Sequence, residues 1–314
     1  SLIGGEFRVN SASILFTLIL TIVHIFIFLN TNYEFLKVDK KKDMSHRKYF
    51  FMTYLLNIFS LFGIIFTSSI CNYFIFLELY SFTLYIIISD YKDKENLKNS
   101  FNCFLNSICG SVIILLSIFF LCLFFNSYRM IYIMQRFLTT NVLMNKPLLF
   151  VSMLFFIGLT LKFFSLDIIF HKSKNKRDAR NLLSFLILFV NNTLSIYSIL
   201  YFLKYLFNID YIFDIVQIKA VVIILGIMVI LYSCHNIIKY STLYNFVKKI
   251  TNIYISLVVI CIGLNSQYST YLALLFIFEH LTSDFMVYLM YNYLIEKYNN
   301  NKVDLNNDQP SKML

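Results

Sequence analysis

Two charged side chains lie inside apolar stretches of this sequence. Glu78 is in the middle of the run from Asn72 to Ile87, and Lys162 is in the run from Phe155 to Phe164. An ionisable group at the centre of a bilayer costs about 2.5–3.5 kcal/mol on insertion scales, so such a residue marks a functional site by default. The chemistry of this chain is therefore predicted to lie at Glu78 and Lys162.

A carboxylate and an ammonium can act together as a proton gate. When two opposite charges lie within about 4–6 Å of each other, each changes the proton affinity of its partner. A movement of a few ångströms could then transfer a proton. The same two groups could instead form a static ion pair that locks two helices, and the residue types leave both interpretations open.

The composition indicates the class of protein in which these two charges lie. Of the 314 residues, 59% are hydrophobic and 14% are charged, with a mean hydropathy of +0.70. Soluble domains contain about 45–50% apolar and about 25% charged residues, so an all-α integral membrane protein is predicted. Residues 1–296 form its transmembrane domain and residues 297–314 a polar tail. Nine stretches are long enough to cross a bilayer: residues 11–30, 49–70, 72–92, 101–126, 147–170, 182–207, 216–238, 249–264 and 268–295.

The net charge of +10 does not indicate nucleic acid binding, because the cations lie in short loops between the spans. Alternate loops sum to about +11 on one side and about +1 on the other, which is the asymmetry that orients membrane proteins. The loops from Lys37 to Lys48 and from Lys172 to Arg180 are therefore predicted on the cytoplasmic or matrix side.

Cofactor ligands are not indicated by the cysteines or histidines. The six cysteines form no CxxC pair and are interpreted as small buried side chains. His24, His235 and His280 occur one per span without a repeated spacing, which favours interior histidines over paired haem ligands. The frequent use of Phe and Tyr suits AT-rich codons, which hints at an organelle genome.

Three segments resemble one family. The decapeptide Phe76-Leu-Glu-Leu-Tyr-Ser-Phe-Thr-Leu-Tyr85 is similar to the glutamate-bearing fifth helix of subunit 2 of respiratory complex I, the proton-pumping NADH:ubiquinone oxidoreductase. Gly158-Leu-Thr-Leu-Lys162 resembles the seventh helix of that subunit, and Phe7-Arg-Val-Asn-Ser-Ala-Ser-Ile14 resembles the entry to its third helix. The order of the segments agrees, so the nine spans are matched to helices three to eleven.

The resemblance implies an antiporter-like fold with a discontinuous helix around Lys162, in the mitochondrial inner membrane. Glu78 and Lys162 would be the proton relay. This chain would hold no cofactor, because NADH, FMN, iron–sulfur clusters and ubiquinone would bind to other subunits. Its partners would be other membrane-arm subunits and lipids such as cardiolipin.

The sequence also departs from this pattern. The proline that follows the lysine in the family falls at Asp167, and the family's histidine falls near Ile169, which leaves His171 as a displaced candidate. The lysine of the eighth helix falls at Asn191, whose amide can bond a water chain but cannot carry the proton. Counterparts of helices one, two and twelve to fourteen are absent, so either another polypeptide supplies them or the exit half of the channel is lost.

Two further charged residues are candidates for the relay. Glu279 lies with His280 and Asp284 in the last span, where it could replace a missing relay element or contact a neighbouring subunit. Lys248 is predicted near a helix end, where long side chains reach the interface. The leading hypothesis is a proton-translocating complex I subunit; the alternatives are a structural scaffold of that complex that has lost transport, and a free-standing cation/proton antiporter.

Overall fold

The structure, a computed structural model, describes most of the chain as helix. The described residues are 7–37, 44–89, 94–139, 145–164, 194, 197–198, 201–202, 219–239, 243–264, 266, 268–269, 271–280, 282–283, 286 and 290. The helices are α1 (Ser11–Lys37), α2 (Met44–Phe66), α3 (Ile70–Ile88), α4 (Lys94–Phe125), α5 (Met130–Thr139), α6 (Asn145–Phe164), α7 (Lys219–Lys239) and α8 (Leu243–Leu264). A further helical segment covers Tyr271–His280.

The predicted spans coincide with these helices. Among the described residues, three helical segments are long and apolar enough to cross a membrane: Lys48–Phe66, Ile70–Ile87 and Ser100–Phe125. Five shorter apolar helices lie within α1, α6, α7, α8 and Tyr271–His280. All the described residues of the predicted span 182–207 are helical too. The prediction of an all-α membrane protein is confirmed.

Two parts of that prediction lie outside the described residues. The helix that carries Lys162 is described as far as Phe164, so the predicted discontinuity beyond it is not covered. The polar tail, residues 297–314, is likewise outside the described part of the chain.

The outer surface of the helices is apolar. On α4 the exposed side chains include Leu105, Val112, Leu115 and Phe119, each between 45% and 60% exposed. Hydrocarbon solvates such side chains, so in a bilayer the interior is distinguished by small and polar residues that pack closely and hydrogen-bond. The buried serines of α4 fit this pattern: Ser100, Ser107, Ser111 and Ser117.

Short backbone contacts join three connecting segments at one end of the helices. The Arg8 N–H donates to the Phe66 carbonyl at 2.7 Å, and the Met130 N–H donates to the Ser68 carbonyl at 3.0 Å. An isolated β-bridge pairs Ser69 with Arg129. The segment before α1, the α2–α3 turn and the α4–α5 turn therefore lie together, in agreement with the predicted alternation of loops between two sides.

Helix α5 was not predicted from the sequence. It is ten residues long, with Met130 and Ile133 buried and Ile131 and Tyr132 exposed. The Arg136 guanidinium donates to the Phe125 carbonyl at 2.7 Å. This bond satisfies one of the carbonyls that every helix C-terminus leaves without a partner in the helix, and it fixes α5 against the end of α4.

Polar pairs join the first three helices inside the chain. The His24 Nδ1 atom and the Tyr54 hydroxyl are 2.7 Å apart between α1 and α2. The Asn57 amide donates to the Thr83 hydroxyl at 2.9 Å between α2 and α3. His24 thus has a polar partner in the interior, as its interpretation as an interior histidine requires.

Candidate functional site

The structure brings Glu78 and Lys162 together. The Lys162 ammonium on α6 donates to the Glu78 carboxylate on α3 at 2.5 Å. The two residues are 84 positions apart in sequence, so only the packing of the bundle creates this contact. The Lys162 side chain is 3% exposed, whereas the Glu78 side chain is 37% exposed. The pair is therefore asymmetric, with the cation enclosed and the carboxylate reaching the surface of the chain.

Ser111 on α4 is a third member of the site. Its hydroxyl accepts a second hydrogen bond from the Lys162 ammonium, at 2.5 Å, and donates to the Ser107 carbonyl one turn earlier, at 2.9 Å. The hydroxyl therefore presents a lone pair to the lysine while its own proton is directed at the backbone. Three helices meet at one ammonium group.

Two glycines bring α4 and α6 into close contact at this point. A Cβ atom added to Gly110 would lie 2.8 Å from the Lys162 backbone nitrogen and 2.8 Å from the Gly158 carbonyl oxygen. One added to Gly158 would lie 2.7 Å from the Ile114 side chain and 3.0 Å from the Gly110 carbonyl oxygen. Small residues allow membrane helices to approach this closely. The glycine pair sets how far the Lys162 backbone lies from α4, and thereby from Ser111.

Sequence reasoning found two of the three side chains. Ser111 was not predicted. The available signal was the spacing: Ser107, Gly110 and Ser111 share one face of a helix because residues three and four apart are neighbours. Serine also bonds its own helix in many spans, so this spacing alone does not single out a lysine partner.

The other predicted site residues have different outcomes. His171 and Asn191 lie outside the described residues. Lys248 is the sixth residue of α8, close to the beginning of that helix, as predicted for a residue near a helix end. Glu279 is exposed on its helix, while the adjacent His280 is fully buried and its ring lies 5.3 Å from that of Tyr254.

We expect Ser111→Ala to weaken the site without unfolding the chain. The Lys162 ammonium would lose an acceptor, and a hydrogen bond to a charged group contributes about 1.5–3 kcal/mol. Thermal unfolding of the purified protein in detergent checks the stability. Ser117→Ala is the matched control, because Ser117 is also buried on α4 and, like Ser111, donates to a carbonyl of its own helix, but it lies six residues beyond the lysine contact. Equal destabilisation by the two changes would contradict a special role for Ser111.

Comparison with known proteins supports the fold. The sequence matches no protein-family model and no curated protein. Its structure is similar to a chain of the Mrp complex from Dietzia sp. DQ12-45-1b, with a TM-score of 0.60 and 11% identity over 74% of this chain and 42% of that chain. It is also similar to a chain of the membrane-bound sulfane sulfur reductase, an archaeal respiratory membrane complex, with a TM-score of 0.63 and 16% identity over 91% of this chain and 56% of that chain.

The two similarities concern the fold of the chain. At 11% and 16% identity they show the fold alone, and this chain spans about half the length of the chains that it matches. The predicted antiporter-like architecture is confirmed at that level. The chain is a multi-pass membrane protein with an all-α, antiporter-like fold, in which a lysine, a glutamate and a serine meet inside the helices.

Proposed function

We propose that this chain is an antiporter-like subunit in the membrane arm of a proton-pumping NADH:ubiquinone oxidoreductase of the mitochondrial inner membrane. In this proposal it passes protons through Glu78 and Lys162. The observation that carries the proposal is the enclosed Lys162 ammonium held between the Glu78 carboxylate and the Ser111 hydroxyl. The resemblance of the segments around both charges to subunit 2 supports the identity of the complex.

The geometry suits proton transfer because the two groups that can exchange a proton are already in contact. The ammonium can donate, the carboxylate can accept, and the serine hydroxyl can hold the lysine in either protonation state because it both donates and accepts. Moving one charge against 100 mV costs about 2.3 kcal/mol. A signal from neighbouring subunits must therefore change the energy of the pair by at least that amount.

The exposed side of Glu78 supports a partner subunit. A glutamate side chain that is 37% exposed on an otherwise uncharged helix would be partly in contact with lipid if the chain were alone, and hydrocarbon cannot hydrogen-bond its carboxylate. Another subunit would cover this surface and supply its polar contacts. NADH, FMN, iron–sulfur clusters and ubiquinone would bind elsewhere in the assembly, and cardiolipin would be among the surrounding lipids.

The proposal is tested by Glu78→Gln in the assembled complex. The amide has the same shape but cannot take a proton, so we expect fewer protons moved per NADH oxidised. Reconstituted liposomes with a pH-sensitive dye give this ratio. Glu78→Asp is the control, since it keeps an acid and should retain part of the transport. An unchanged ratio in the Gln variant, with normal assembly, would remove this chain from the pump.

A structural scaffold is the second candidate. It is favoured by one observation: the Lys162 ammonium already has two polar partners from two other helices, an arrangement that could hold three helices together without moving a proton. The third candidate, a free-standing cation/proton antiporter, predicts transport by the isolated chain. The exposed carboxylate of Glu78 disfavours it, because that surface needs a partner in lipid.

A further inference from the structure

The pair of cysteines Cys71 and Cys122 lies outside the site described above. Both are free thiols, with Cys71 exposed and Cys122 half-buried. Cys71 is the second residue of α3, and Cys122 is in the last turn of α4. Cys122 lies eighteen residues, or five helical turns, after Phe104, so it shares the face of α4 that contacts α3 through the Tyr85–Phe104 stack. The two cysteines therefore lie on facing sides of α3 and α4, at the end of the bundle where the connecting segments meet.

The packing of α3 against α4 keeps these thiols in register. At the other end of the same interface, the Tyr85 and Phe104 rings stack with centroids 5.0 Å apart. In the middle, Glu78 and Ser111 share the Lys162 ammonium. The β-bridge between Ser69 and Arg129 holds the chain just before α3 against the chain just after α4. The two helices thus run antiparallel with contacts along their length, and the two cysteines lie at one end of this interface.

The position of Cys71 relates the thiols to the buried charge. Cys71, Glu78 and Tyr85 are seven residues apart, so they lie on one face of α3, two helical turns from each other. Seven residues correspond to about 10 Å along the helix. On α4, Ser111 and Cys122 are eleven residues apart, which is close to three turns. A bond between the cysteines would therefore fix the α3 face that carries Glu78 against the α4 face that carries Ser111.

We propose that Cys71 and Cys122 form a reversible disulfide under peroxide, and that this bond restrains α3 against α4. A thiolate of the pair attacks hydrogen peroxide, which forms a sulfenic acid and releases hydroxide; the second thiol then displaces the sulfenic oxygen as water. In sum, two thiols and one hydrogen peroxide give one disulfide and two water molecules, and two electrons pass from the sulfurs to the peroxide. Formation of the disulfide does not depend on the proposed function, whereas the effect of the disulfide on proton transport rests on that function.

The disulfide is tested on the full assembly in native membranes. After peroxide treatment and denaturation, we expect this chain to lose two of its six maleimide-reactive thiols and to regain them with dithiothreitol. Cys71→Ser should abolish the loss. Cys109→Ser is the matched control, because Cys109 is also exposed on α4 but is thirteen residues from Cys122 and so faces a different direction. This control should lose two thiols as the native chain does.

Mass spectrometry of the native chain makes the test independent of how the variants fold. A peptide that links Cys71 to Cys122 after peroxide, and disappears on reduction, supports the proposal. Alkylation of both cysteines after peroxide would overturn it. If the disulfide restrains α3 against α4, oxidation should lower proton transport several-fold in the native assembly and leave the Cys71→Ser assembly unaffected. If the disulfide forms and transport is unchanged, the proposed restraint of α3 is wrong. The proposed function is tested separately, by the Glu78→Gln variant.

Discussion

Replacing Lys162 by arginine is expected to keep the chain folded and to stop proton transfer. A guanidinium can pair with the Glu78 carboxylate and donate to the Ser111 hydroxyl, but it does not release its proton in proteins. A relay needs a group that alternates between two protonation states, whereas a static ion pair needs only the charge. We expect proton transfer through this subunit to fall about 100-fold, the size of effect typical of losing a positioned acid or base.

The measurement is proton translocation by the reconstituted assembly, with NADH oxidation followed in parallel. Lys162→Met is the companion variant, because it removes the charge and leaves the partly exposed Glu78 side chain without its cation. A relay predicts that Arg and Met both stop transport while only Met impairs assembly. Full transport by the Arg variant would establish the scaffold instead.

Gly110→Leu is expected to separate α4 from α6 and to destabilise the packing of these two helices. Even a Cβ atom would lie 2.8 Å from the backbone of α6, and backbone cannot rotate away as a flexible side chain would. Overpacking of this kind typically costs about 1–3 kcal/mol and occasionally more. The displaced α6 would also move the Lys162 ammonium away from Ser111, so transport should be lost together with stability.

Thermal unfolding in detergent measures this change, and Gly110→Ala gives a graded intermediate. Val112→Leu is the matched control: it lies two residues away on α4, is 60% exposed, and faces away from α6. We expect the Leu variant at position 110 to unfold several degrees lower than the control. If both variants unfold at the native temperature, the close contact between the two glycines does not determine the packing.

The membrane spans could be predicted because each is a continuous apolar stretch of nearly bilayer length, a signal that does not depend on the rest of the fold. The meeting of Glu78 and Lys162 was predictable from energetics, since two opposite charges in hydrocarbon stabilise each other when they pair. Helix α5 was missed because it is too short to span a bilayer. In the structure the Arg136 side chain reaches back to the end of α4.

The remaining details of the site depend on how helices pack, which a single sequence does not reveal. Ser111 gives the same signal as Ser117 in the sequence, yet only Ser111 faces Lys162. Gly110 and Gly158 are separated by 47 intervening residues, so nothing in either segment indicates that one packs on the other. The direction in which a polar residue points becomes known only when the neighbouring helix is placed.

The half-exposed carboxylate of Glu78 has a consequence for biogenesis. A newly inserted copy without neighbouring subunits presents part of this side chain to lipid, which cannot hydrogen-bond its carboxylate. Differences in stability of about 1–2 kcal/mol change the abundance of a protein several-fold through quality control. Unassembled copies are therefore expected to be degraded, so that the cell accumulates this chain only in step with the polypeptides that surround it.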